Sequence, residues 1–313
     1  MNEPPNPSVA TTDRVSPPPE PVEEAPRISV ATLWQSYGTL GILVLLVLIC
    51  SALSPRYFLT TDNLVQVLLQ SSVMILLACG VFFTILIAGI DLSVGSMLAL
   101  TGMVTAQLMV AGVPPWAAVL LGGVLLGALL GAINGVLVNV TQLHPFIITL
   151  GTMAIYRGLT LIISDARSVF GFAPSFSGVV AGRVLGVPVP VLIAVCVAGF
   201  LYFLARYTTL GRNIYALGGN AQAAWFSGID IKLHTLAVFV ISGTCAGIAG
   251  VVTTARTGAA EPNAGTGFET FAIASAIIGG TSFFGGRGSS TARRTSKRRL
   301  PGSPRVPAWL SAA

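Results

Sequence analysis

Asp91 is the only charged residue between Asp62 and Arg157, and it lies in the run Gly89-Ile-Asp-Leu-Ser-Val-Gly-Ser96 with long apolar stretches on either side. A carboxylate at the centre of a bilayer helix costs about 2.5 to 3.5 kcal/mol on insertion scales, so such a group faces protein, a polar cavity or a partner. The neighbours say how this one is tolerated. Gly89 and Gly95 weaken a helix, while the hydroxyls of Ser93 and Ser96 can serve backbone groups that a break sets free. The run predicts a break in a membrane helix. Alternatively Asp91 is hydrogen-bonded to backbone at the break, or paired with Arg157, and holds the fold without touching solute.

The elements around this run are apolar throughout. Hydrophobic residues make up 53% of the 313 and charged residues only 9%, with a mean hydropathy of +0.82. An ordinary soluble domain carries about 25% charged residues, so that class is excluded. Membrane stretches are expected at about residues 37–53, 70–90, 94–112, 115–139, 146–164, 186–205, 234–254 and 268–285, each near the ~20 residues that cross the hydrocarbon core. The fold class is therefore all-α: a polytopic transmembrane bundle of eight apolar segments with broken or re-entrant helices.

Three regions follow from composition. Residues 1–36 are rich in proline and acids, form no core and are expected to be disordered, without the basic start and apolar run of a secretory signal. Residues 37–288 form the membrane domain. Residues 289–313 carry Arg293, Arg294, Lys297, Arg298, Arg299 and Arg305 with no acid. Without that tail the cations and acids balance, so the net charge of +6 belongs to the tail and gives no reason to expect nucleic acid as a partner. Attachment of the tail to anionic membrane lipid is one reading of it.

In the fourth stretch Gly123, Gly127, Gly131 and Gly135 recur every four residues, which lines them on one helix face and predicts close helix packing, within the chain rather than between copies. Cys50, Cys79, Cys196 and Cys245 fall in separate apolar stretches without metal-ligand spacing, so no metal site is expected. His144 and His234 stand at segment starts and read as interfacial. GxxxxGK[ST], HExxH and GxSxG are all absent from the sequence, so neither ATP hydrolysis nor bond cleavage by those routes is expected, and no catalytic residue or cofactor is assigned.

The run Gly89–Ser96 is similar to the signature of the permease subunits of bacterial ABC importers of the ribose, xylose and simple-sugar type, within the superfamily that also holds branched-chain amino acid permeases. The resemblance continues through Asn134-Gly135, Pro145-Phe-Ile-Ile-Thr-Leu-Gly151, Gly211-Arg-Asn-Ile-Tyr-Ala-Leu-Gly-Gly-Asn220, Phe268-Glu269, Gly279-Gly-Thr281 and Gly285-Gly-Arg-Gly288. It implies a multi-pass protein of the bacterial inner membrane that imports a monosaccharide. It also implies a separate ABC ATPase subunit, an extracytoplasmic solute-binding protein and a second permease copy, in a homo- or heterodimer. Other small polar solutes, such as an autoinducer or a polyol, are alternatives, as is an inactive remnant.

Residue roles follow from the same resemblance. The 206–232 loop is expected in the cytoplasm as the coupling helix that docks on the ATPase, with Gly211, Arg212, Ala216, Gly218, Gly219, Asn220, Ala223, Ala224 and Gly228 as its residues; small side chains seat it in a groove and glycines end it. The solute path is expected at the broken helix, lined by Asp91, Ser93, Gly95, Ser96, Asn134, Thr149 and Glu269. For Asn134 a simple bridge between two helices is the alternative. Beyond Gly288 the resemblance implies further membrane helices. The chain reads instead as a basic, proline-containing segment, for which a reading-frame change or truncation near residue 289 is the expectation.

Overall fold

A computed structural model describes residues 30–172, 174–282 and 285–286. The chain divides at Leu53. The first unit contributes a single helix, α1 (Val30–Leu53), which begins at Val30 rather than at Tyr37. The tails at 1–29 and 287–313, and with them the expectations for the basic segment, lie outside the described residues.

The second unit begins with α2 (Thr61–Leu86), whose start is set by Thr60: its hydroxyl accepts the Asn63 N–H, and Asp62 places negative charge in the first turn. α2 ends in a Schellman closure. Ala88 N–H bonds to the Ile85 carbonyl and Gly89 N–H to the Thr84 carbonyl, both at 2.9 Å, with Ala88 in the left-handed region at φ 57°. Residues 87–93 are non-helical, and α3 (Val94–Val110) follows.

α3 is apolar on every side, and it is correspondingly buried on nearly every side. Then come α4 (Pro115–Ala118), a π-helical turn (Val119–Leu125) and α5 (Leu126–Thr141), continuous as one span, and α6 (Pro145–Ile163), with proline at its first position. The segment between the predicted stretches 146–164 and 186–205 holds a short helix, α7 (Pro174–Val180), and the start of a small hairpin, β1 (Arg183–Val184) with β2 (Val187–Pro188). The remaining helices are α8 (Val189–Tyr207), α9 (Thr209–Gly219), α10 (Ala221–Phe226), α11 (Ile231–Thr257) and α12 (Phe268–Ile278).

Among the described residues five helical spans are long and apolar enough to cross a bilayer: Thr61–Leu86, Pro115–Thr141, Pro145–Ile163, Val189–Tyr207 and Ile231–Thr257. Three shorter apolar helices, Gly41–Leu53, Val94–Val110 and Phe268–Ile278, account for the other predicted stretches. The protein is thus an all-α, polytopic membrane protein. The last stretch, expected to reach residue 285, stops at Ile278, because Gly279 ends α12 and Gly280 turns left-handed at φ 100°.

α11 is the axis of the second unit and packs on α2, α3 and α5. Glycine makes its approach to α5 possible. A Cβ built on Gly127 would stand 3.0 Å from Gly247 Cα, one on Gly131 3.2 Å from Gly243 Cα, and one on Gly135 2.9 Å from Leu236 Cα. Such backbone proximity replaces the hydrophobic drive that lipid removes. Gly123 sits in the π-helical turn, where the change of phase points Gly122 at Thr105 of α3 and Gly123 at Val251 of α11. On the other face of α11, the side chains of Leu76, Leu77, Met97, Leu98, Ala246, Ala249 and Val252 interlock in one apolar cluster.

Candidate functional site

The break between α2 and α3 carries Asp91 into the interior, where its side chain is fully buried. Three donors meet it. Oδ1 accepts from the Ser93 backbone N–H at 3.0 Å and from Ser93 Oγ at 2.6 Å, and Oδ2 accepts from Ser242 Oγ of α11 at 2.8 Å. The start of α3 adds the positive end of a helix dipole. Ser93 Oγ in turn accepts from Asn134 Nδ2 of α5 at 2.8 Å, and Tyr156 of α6 donates its hydroxyl to Asn134 Oδ1 at 3.1 Å and to the Leu130 carbonyl at 3.0 Å. Thr149 Oγ1 donates to the Ile90 carbonyl at 3.0 Å, and Ser96 Oγ to the Ser93 carbonyl at 2.8 Å.

One connected polar network therefore ties the break to α5, α6 and α11. Asp91, Ser93, Ser96, Asn134 and Thr149 all belong to it, and all five are buried. None of them lines the groove beside α5 and α10, the small cavity between α3 and α11, or the groove between α2 and α12. They hold the break to α5, α6 and α11, and the carboxylate has protein donors where water would otherwise be needed. Asn134 bridges two elements through its amide. Tyr156 and Ser242 complete the network without having been singled out in the sequence; a Tyr or Ser in an apolar helix is too common a residue to signal a partner far along the chain.

The pairing of Asp91 with Arg157 is corrected. Arg157 lies one residue beyond Tyr156 on α6 and so points elsewhere, donating through Nη1 to the Pro262 carbonyl at 2.6 Å and the Ala264 carbonyl at 2.9 Å in the loop before α12. Glu269 is separate from the network. It is half-buried in the first turn of α12, and a Cβ on Gly95 would run into its carboxylate and into the Gly265 carbonyl. Gly95 is thus required for the loop and α12 to lie against the start of α3.

The 206–232 region folds as two short helices. Thr208 caps α9 by accepting the Gly211 N–H at 3.2 Å, and Asn220 caps α10 by accepting the Ala223 N–H at 2.9 Å. Arg212, Ala216, Gly219 and Ala223 face outward, and Gly228 closes the segment at φ 81°. Gly211 and Ala224 are buried inside the chain, so they seat these helices on their own protein and leave the outer face to the others. Trp225 and Phe226 add an exposed aromatic pair. His234 is buried rather than interfacial: Asn213 of α9 reaches its Nε2 at 3.1 Å and joins α9 to α11. His144 caps α6, its Nδ1 accepting the Phe146 N–H. Burial raises the pKa of the Tyr215 phenol on α9, which stays a neutral donor.

The end of α9 touches the break itself. A Cβ on Gly218 would collide with the Leu86 carbonyl and stand 2.7 Å from the Gly286 nitrogen, and one on Gly285 would stand 3.0 Å from the Ala88 nitrogen. Gly286 N–H donates to the Leu86 carbonyl at 2.9 Å. Backbone meets backbone at this junction of α9, the end of α2 and Gly285-Gly286, with Asp91 three residues past Ala88.

The family described as the branched-chain amino acid transport system / permease component matches residues 63–293. The D-allose transport system permease protein of Escherichia coli (strain K12) is 64% identical over 258 residues, 82% of this chain and 79% of that protein. The ribose import permease protein of the same strain is 42% identical over 263 residues, 82% of this chain and 81% of that protein. The ribose import permease protein of Bacillus subtilis (strain 168) is 40% identical over 267 residues, 85% of this chain and 82% of that protein. No solved structure matches the chain. With the family match running from near the start of α2 past Gly286, this multi-pass inner-membrane chain belongs to the branched-chain amino acid transport system / permease component family.

Proposed function

We propose that this chain is the membrane subunit of an ATP-driven ABC importer of a monosaccharide, with an aldohexose of the D-allose type as its solute. The observation that carries the reading is the 64% identity to the D-allose permease along most of both chains, well above the 42% shared with the ribose permease of the same bacterium. A separate ATPase subunit supplies the energy and grips the outward face of α9 and α10, where Arg212, Ala216 and Ala223 lie beside the aromatic pair. An extracytoplasmic binding protein delivers the sugar, and a second permease copy completes the membrane part.

Coupling needs a mechanical link between the ATPase and the interior. The glycine junction supports one: motion of α9 meets the end of α2 through backbone contacts that leave no side chain to absorb it. The polar network on Asp91 then makes the break a discrete element with alternative arrangements, since its bonds are either all made or exchanged.

Uptake of labelled D-allose and D-ribose in a strain lacking other permeases for them, with this chain supplied alongside its ATPase and binding protein, tests the reading. Uptake of D-allose in preference to D-ribose is expected. Uptake of neither sugar, with the protein present in the membrane, refutes it and favours another small polar solute or an inactive chain.

A further inference from the structure

We propose that the groove between α2 and α12, bounded by Arg256 of α11, is a contact site for the transported sugar. The proposal rests on the importer reading above and adds to it a place and a set of residues. The groove holds about 600 Å³, within the range of small-molecule sites, and is lined by Gln70, Ser71, Met74, Arg256, Phe268 and Phe271 among others.

Its chemistry is unlike that of the surrounding helices. Arg256 ends a long apolar helix, and its Nε–H is buried without a hydrogen-bond partner among the described residues. That N–H has no surface open to the groove, so a solute meets Arg256 through the part of its side chain that lines the space. Gln70 and Ser71 stand next to each other on α2, and both line the same groove. The neighbouring Ser72 differs: it is buried and donates to the Leu69 carbonyl. Gln70, Ser71 and Arg256 thus share one space with Met74, the aromatic residues Phe268 and Phe271 and smaller apolar residues of α2.

Such a lining suits a neutral polyhydroxylated ring. Hydroxyl oxygens of a monosaccharide accept from the guanidinium and the amide, its hydroxyl hydrogens donate to the Gln70 carbonyl and Ser71 Oγ, and its C–H faces lie on the aromatic rings. A mostly apolar lining with a few polar groups is the composition of small-molecule sites. The first turn of α12, the element that forms one wall, brings Glu269 against Gly95 in the first turn of α3, just past the break.

The test uses the chain with its ATPase and binding protein, with the four native cysteines replaced by alanine and Ser71→Cys as the only thiol. Labelling of intact cells with a charged, membrane-impermeant thiol reagent is followed with and without saturating D-allose. Labelling slowed several-fold by D-allose but not by a non-transported sugar is expected, with the protection lost in Arg256→Gln. Arg256→Gln is also expected to lower D-allose uptake about ten-fold or more while leaving the amount of assembled complex unchanged. Absence of labelling would mean that lipid or protein fills the groove, and labelling without protection would mean that sugar does not reach it; either overturns the site. If the unmodified chain imports D-allose and protection is absent, only the site fails. If the unmodified chain imports no monosaccharide, the importer reading fails and the site falls with it.

Discussion

Asp91→Ala removes the acceptor on which three hydrogen bonds converge, two from Ser93 and one from Ser242. Bonds to a charged group contribute about 1.5 to 3 kcal/mol each in net terms, but the three do not add. Removing the carboxylate also removes its own desolvation cost, and the two serine hydroxyls can rotate toward nearby carbonyls. The Ser93 backbone N–H is fixed and cannot. A loss of about 3 kcal/mol is therefore expected for Asp91→Ala, and about 1 to 2 kcal/mol for Asp91→Asn, whose carbonyl keeps the Ser93 N–H while its amide meets Ser242 Oγ as a donor. For a unit of this size each kcal/mol moves the unfolding midpoint by about 2 to 4 °C, so Asp91→Ala should melt about 6 to 12 °C below the parent. Thermal unfolding of purified protein in a single detergent measures both. Combining Asp91→Ala with Ser242→Ala isolates the bond across to α11, and a coupling of about 1.5 kcal/mol or more is expected. A midpoint for Asp91→Ala within 2 °C of the parent, or purely additive effects in the double variant, would refute the clamp.

Three further outcomes follow from the glycines. Gly131→Val places a branched side chain against the Phe239 carbonyl and Gly243, so α5 and α11 must separate and the yield of folded protein should collapse; Gly158→Ala, with open space around its Cβ position, should be neutral or stabilise by about 0.5 to 1 kcal/mol, and size-exclusion profiles with melting curves compare the pair. Gly218→Ala presses on Leu86 and Gly286, so it should reduce sugar uptake per ATP hydrolysed at least several-fold while the ATPase still co-purifies; an unchanged ratio would remove the junction from the coupling route.

Much of the architecture is legible in the amino-acid sequence. Composition alone required a bilayer, and each apolar stretch corresponds to a helix because length and hydropathy decide where a backbone can satisfy itself in lipid. The break at Asp91 was legible for the same reason: two glycines and two serines around a lone acid are poor material for an unbroken span. The four-residue glycine spacing marked a close-packed face, since periodicity is a local property. Stretch ends were less legible, as α12 shows by stopping at Ile278, where left-handed backbone at Gly280 outweighs continuing apolar sequence.

What local pattern could not contain was the identity of distant partners. Ser242, 151 residues from Asp91, became its donor only because α11 runs through the centre of the bundle. Arg157 had the charge to pair with Asp91 but lies next along the helix from the residue facing the network, and a step of one residue rotates a side chain about 100° away. Ala224 had the small size of a docking residue, yet tertiary packing turned it inward. Residue types, hydropathy and spacing thus determined the membrane class, the helices and the broken segment, since those are set by short-range physics. The route of α11 through the bundle decided which polar groups meet, because in a dry interior a donor bonds whatever acceptor the fold brings within 3 Å or so, however far it lies along the chain.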